Sequence, residues 1–446
     1  MSKQPIQLSD HFTFGRLLRF TLPSIVMMVF TSIYGVVDGY FVSNFAGKTA
    51  FAALNLIYPF LMILGGVGFM IGTGGTALVS RVLGTGDRAL ANRYFSMMIQ
   101  LTAILGIVLT VIGFVFMEPI ARLLGASEEM VPDCVLYGRV CIAFNTAFMF
   151  QNVFQSFLIA AEKPKLGLVA TVSAGVTNMV LDWLLVGVFP LGLAGAALAT
   201  GLSQVVGAVI PLVFFLRKNS SPLQLKLVSM EAKPLLQACG NGSSELMSNI
   251  SSSLVSMIYN FQLMHYLGEN GISAYGVLMY VQFIFVAIDV GYSIGSAPII
   301  SFHYGAENQD ELKNMFRKST LSMTVLGFAM TGLALVLGTP LAKLFVGYDQ
   351  ELMELTHHAF QIFSLCFAFA GLNIFFSSLF TALNNGLVSA AISFLRTLIF
   401  QAGSVLLLPG LIGVDGLWLA TVVAEVCALV VSLIFLLANR KRYGYF

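Results

Sequence analysis

The chain of 446 residues is 57% hydrophobic and only 10% charged, where a soluble domain carries roughly 25% charged residues. Its net charge of +2 comes from basic residues at the ends of apolar runs and forms no basic surface for nucleic acid. These balances exclude a soluble globular protein and predict an all-α, polytopic membrane protein.

Apolar runs long enough to span a bilayer fall at 16–42, 52–79, 94–117, 134–160, 166–188, 193–216, 235–266, 273–301, 315–338, 356–382, 387–409 and 415–438. They predict twelve transmembrane helices, because backbone groups in lipid must be satisfied internally. The short alternating strands of a barrel are absent. Of the 23 Lys and Arg, Arg139 and Arg396 fall within spans, and Lys48, Arg122 and Lys343 fall on one side. The remaining eighteen, Lys3 among them, share the side of the N-terminus. Basic loops stay in the cytoplasm, so both termini are expected there, in a multi-pass protein of the cell membrane. No cleavable signal peptide is expected, since the first run is long and ends in polar SNFAGK.

In chain order, the first span carries FTSIYGVVDGYFVSNF, with Asp38 at membrane depth and Tyr34 one turn before it on the same face. The fifth carries TNMVLDW, where Asn178 and Asp182 are also one turn apart. The sixth adds the hydroxyl of Thr200 in GAALATGL. A carboxylate at membrane depth costs roughly 2.5–3.5 kcal/mol on insertion scales, and such residues are functional candidates. Together Asp38, Asn178, Asp182 and Thr200 offer the hard oxygen ligands of a cation site, for Na⁺ as metal ligands or for a shared proton. Two close carboxylates favour such a proton because like charges repel.

The longest polar connection, RKNSSPLQLKLVSMEAK (217–233), reads as a cytoplasmic linker. It divides a six-helix bundle at 1–216, the cation-coupling half, from a second at 234–446. GTGDRALANRYF (84–95) matches GAENQDELKNMF (305–316), and LAGAALAT (193–200) matches VDGLWLAT (414–421), both at an offset of 221 residues. Two repeats of six spans share one orientation, as in some secondary transporters. In the second half, Glu245, Asp289 and Glu425 lie inside spans. Arg139 and Arg396 read as structural, their long side chains snorkelling towards the interface. The five cysteines lack CxxC pairing and read as small packing residues. No nucleotide loop, HExxH or GxSxG motif is present. The chain is therefore expected to be no enzyme, to need no cofactor, and to draw energy from an ion or substrate gradient.

Along its whole length the chain resembles the multidrug and toxic compound extrusion (MATE) family, in its MepA-like bacterial branch. The resemblance rests on twelve spans, two six-helix halves and the GAENQDEL-type turns after the second and eighth helices. It also rests on Pro23, Tyr34 and Asp38 in the first helix, Asn152 in FMFQNVFQSF, Asn178 with Asp182, and Thr200. It implies that Asp38, Asn178, Asp182 and Thr200 couple transport to H⁺ or Na⁺, and that Pro23 is a first-helix hinge. Tyr34, Asn152, Glu245 and Asn373 are implied to be substrate-binding, with Glu245 in NGSSELMSN and Asn373 in AGLNIFFSSL. Asn373 stands where another branch has an acid, which moves the ion site to the first half.

Five intramembrane acids against two bases, among many Phe and Met, favour amphipathic organic cations as substrates. The expected function is secondary, cation-coupled antiport of such small molecules by a membrane-embedded monomer working by alternating access. Two alternatives differ from it. A lipid-linked oligosaccharide flippase calls for a cationic cavity. A major-facilitator exporter calls for a G…DR…GRR loop, which VLGTGDRALANR only partly supplies.

Overall fold

The computed structural model describes residues 6–41, 48–347 and 349–446. Lys3, the SNFAG segment and the side chain of Lys48 lie outside the described residues. Within them the regular elements are helices alone. The first half comprises α1 (Phe14–Phe41), α2 (Lys48–Gly84), α3 (Arg88–Leu123), α4 (Val131–Ala143), α5 (Asn145–Ala160), α6 (Pro164–Asp182) and α7 (Gly192–Leu216). The second comprises α8 (Ala232–Gly305), α9 (Gln309–Val346), α10 (Gln350–Phe363), α11 (Phe367–Ala382), α12 (Gly386–Phe394), α13 (Gln401–Ile412) and α14 (Asp415–Tyr443). Ten helices, counting α10–α11 and α12–α13 as single runs, have the length and hydropathy of a membrane span. The α4–α5 pair makes an eleventh. The twelfth comes from α8, which breaks at Gly268, where φ is 61° and ψ is −149°. That backbone is open to glycine and closed to most other residues.

The α4–α5 span was expected to be one helix over 134–160 and instead bends by 51°. At the bend the Phe144 N–H bonds back to Cys141 O at 3.1 Å. The Phe144 ring fills the space where Gly201 of α7 lacks a Cβ. A tertiary contact therefore holds the kink, with neither proline nor glycine at its apex.

Large apolar side chains face outward along the spans: Phe261 and Val336 are each 73% exposed and Leu407 68%. Exposure on this scale is costly in water and neutral in lipid.

The 221-residue repeat is visible in the backbone. Asp87 caps α3 by accepting from Leu90 N at 2.9 Å, and Asn308 caps α9 by accepting from Glu311 N at 3.1 Å. The preceding Gly86 and Glu307 both have positive φ. The two halves meet chiefly where α1 and α2 pack on α8. At this seam Gly84 faces its repeat counterpart Gly305, and Gly74 faces Gly242. A Cβ at any of these would enter the facing backbone, so only glycine permits the helices to approach so closely.

At the end carrying both termini, the segment before α1 ties the halves together. Leu8 N donates to Glu162 Oε1 at 2.8 Å, in the turn between α5 and α6. Phe12 N donates to Glu311 Oε1 at 2.9 Å on α9, and the Leu8 and Phe12 side chains are buried.

Candidate functional site: a carboxylate pair and a polar cavity

Residues Phe30, Tyr34 and Asp38 repeat every four positions and so form one face of α1. That face lies on α6, because Gly175 leaves room for the rings: a Cβ there would come within 3.0 Å of Tyr34. One turn beyond Gly175 is Asn178, and one further is Asp182, where the α-helix gives way to a π-helical stretch over Trp183–Val188. Such π-bulges occur often at functional sites. In this register Asp38 and Asp182 come within side-chain reach of each other, and Thr200 of α7 comes within reach of Asp38.

Asp182 is fully buried and Asn178 almost so, while Asp38 and Thr200 are half-buried. Among the described residues, Asp38 Oδ1, Asn178 Oδ1, both carboxylate oxygens of Asp182 and Thr200 Oγ1 have no hydrogen-bond partner. Buried polar atoms are satisfied almost everywhere in native proteins. Two neighbouring carboxylates lack a donor between them, and a proton or a cation is what relieves both their repulsion and their missing partners. Asp38, Asp182 and Thr200 are thus brought within reach of one another, and Asn178 lies one turn before Asp182 on α6.

The other residues singled out from sequence are placed differently. Tyr34 sits beside the pair and within reach of Gln151, whose Oε1 is likewise buried and unpartnered. Gln151, in the same FQN triplet as Asn152, went unnoticed in the sequence. Asn152 points away and donates to Gly65 O of α2 at 3.1 Å, a helix–helix tie. Pro23 is buried on α1 at the level where Gly291 of α8 packs against Ser24 and Ile25.

Between the halves lies a cavity of about 210 Å³, walled mainly by the second half and closed by Thr73 and Thr76 of α2 and Ser156 of α5. Glu245 lines it, as do Arg396 and Glu425, and hydroxyls such as Ser248, Ser377 and Thr397 make up much of its wall. Arg396 does not snorkel. Its Nε lies 2.9 and 3.0 Å from the two Glu425 oxygens, and its Nη2 lies 2.7 Å from Oε1. Asn373 is fully buried behind this pair. It donates to Glu425 Oε2 at 2.7 Å and to Glu425 O at 2.9 Å, and it accepts from Ser432 at 3.3 Å. Asn373 is not among the residues lining the cavity, so it reaches the space through Glu425. Asp289 lies nearby, 1% exposed, with both oxygens unpartnered. Arg139 behaves as expected from sequence: its Nε donates to Phe114 O at 3.2 Å and its guanidinium lies over the Phe114 ring. Opposite charges in two spans of the same half were the available sign of the Arg396–Glu425 pair.

A model of the MatE family matches residues 23–184 and 246–404. The chain is 25% identical over 432 residues to the multidrug export protein MepA of Staphylococcus aureus (strain MSSA476), covering 96% of this chain and 94% of that one. It is 24% identical over 431 residues to MepA of Staphylococcus saprophyticus, with the same coverage. A crystal structure of MATE in complex with MaL6 superposes with a TM-score of 0.92 at 21% identity, covering 99% of both chains. The first two spans of similarity, one in each half, fall on the repeat seen in the sequence.

Proposed function

The chain belongs to the MatE family of multi-pass membrane proteins, and from that premise we propose that it is a secondary multidrug exporter exchanging H⁺ or Na⁺ for amphipathic organic cations. The observation that carries this reading is the set of five unpartnered oxygens on Asp38, Asn178, Asp182 and Thr200. A cation or proton entering this set is stabilised by both carboxylates, and its departure restores their repulsion. Binding therefore biases the packing of α1, which carries Tyr34 and Asp38, against α6 and α7. Pro23 supplies a weak point in α1, since it has no N–H to give to the preceding turn. The substrate occupies the cavity beside Glu245. The two halves rock about the α1, α2 and α8 seam to present the sites to each side in turn, with both termini in the cytoplasm as the basic residues direct.

The test is Asp38→Asn and Asp182→Asn in proteoliposomes with an imposed pH or sodium gradient. Gradient-driven ethidium transport should fall to background in both variants at normal expression. Transport retained in either would overturn the assignment.

A further inference from the structure

The cavity between the halves has three charged groups on its wall, of which two cancel, and the buried Asp289 lies close behind Arg396. Glu425 is engaged by Arg396 through both its oxygens, and Asn373 holds one of those oxygens in place. The pair is largely buried, with side chains 17% and 8% exposed. The Glu245 carboxylate, by contrast, has no hydrogen-bond or ion-pair partner among the described residues. Arg396 is placed on the cavity wall by a π-helical stretch over Leu395–Phe400. Its Nη1 donates to no described group.

We propose that Arg396 determines the charge selectivity of this cavity by neutralising Glu425, so that the site accepts an organic monocation at Glu245 and rejects a second cationic group beside Arg396. The inference rests on the reading of the chain as an exporter of organic cations and adds a residue to it. A monocation pairs with Glu245 and lays its polar substituents against the hydroxyl wall. A dication must place its second charge beside a guanidinium, an arrangement that selects by repulsion as much as by attraction. Without Arg396 the wall presents Glu425 as a bare carboxylate, with Asp289 behind it, and the preference reverses. One unit charge across a cavity of this size, at an effective dielectric constant near 20, changes affinity by at least about tenfold.

Ethidium and propidium provide the test, since they share a chromophore and differ by one quaternary ammonium. Binding of each to purified full-length protein is followed by fluorescence, with size exclusion confirming the fold. The wild type should favour ethidium. Arg396→Gln should raise the propidium-to-ethidium affinity ratio by about tenfold or more. Glu425→Gln, which keeps one acceptor oxygen and leaves the guanidinium charge uncancelled, should lower the ratio. If Arg396→Gln does not fold, Glu425→Gln alone decides. A ratio unchanged in the folded variants, with ethidium still bound, overturns the role of Arg396. Wild-type protein that binds neither dye overturns both this role and the substrate class beneath it.

Discussion

Replacing Glu311 by alanine should free the N-terminal segment from the body of the protein. Glu311 is 6% exposed. Its carboxylate accepts from Phe12 N at 2.9 Å and Asn314 Nδ2 at 2.6 Å, and it pairs with His11 Nδ1 at 2.6 Å. A hydrogen bond to a charged group contributes about 1.5–3 kcal/mol, and leaving the Phe12 amide buried without an acceptor costs about 1–3 kcal/mol more. The remaining anchors are the buried side chains of Leu8 and Phe12, worth about 1.5–3 kcal/mol each, and the bonds from Asn314 and Lys318 to Phe12 O. Against them stands the cost of ordering the backbone from Ile6 to Phe12, about 1–2 kcal/mol per residue. Without the carboxylate, ordering outweighs the anchors. Hydrogen exchange of the N-terminal peptide, read by mass spectrometry, should therefore accelerate by about a hundredfold or more in Glu311→Ala. That figure corresponds to about 2.7 kcal/mol. Glu311→Gln, which keeps an acceptor for Phe12, should fall between. Exchange at the wild-type rate in Glu311→Ala would show that apolar burial alone holds the segment and would refute the reasoning.

Glu162, in the turn between α5 and α6, is pushed above the ordinary glutamate range by burial, which outweighs the hydrogen bond from Leu8 N. An acid with a raised folded-state pKa binds its proton more tightly when folded. Its contribution is then fully present below about pH 4.3, the unfolded value, and declines as pH rises through the folded value. Glu162→Gln should raise the melting temperature at neutral pH, and the gain should vanish on acidification below pH 4.3. An unchanged difference across that range would refute it. Two glycines two residues apart, on opposite faces of α8, should respond in opposite directions. At Gly242 a Cβ would enter the α2 backbone at Met70 and Gly74, while at Gly240 it meets nothing within 4 Å. Gly240→Ala should stabilise by about 0.5–1 kcal/mol through helix propensity. Gly242→Ala should destabilise by about 1–3 kcal/mol through overpacking. Equal effects on thermal unfolding would refute the close α2–α8 contact at Gly242.

The sequence alone determined the class of fold, the spans and the family. Hydropathy, helix breaks and basic-residue bias are properties of contiguous residues, and lipid leaves the backbone few alternatives. The Asp38–Asp182 pairing was also within reach, since intramembrane acids are rare and i, i+4 spacing fixes which residues share a face. Tertiary structure decided what depends on the rotation and approach of helices distant in sequence. Asn152 and Gln151 are adjacent, yet only the packing of α5 against α2 and α7 sends one to Gly65 and the other to Tyr34. Arg396 and Glu425 share only their opposite charge as a sign in the sequence, because no local rule relates a π stretch on one helix to an acid on another. The bend at Phe144 likewise depends on Gly201, more than fifty positions away. Spacing along one helix is set by covalent geometry, whereas the partner across a helix interface is set by the packing of the whole bundle.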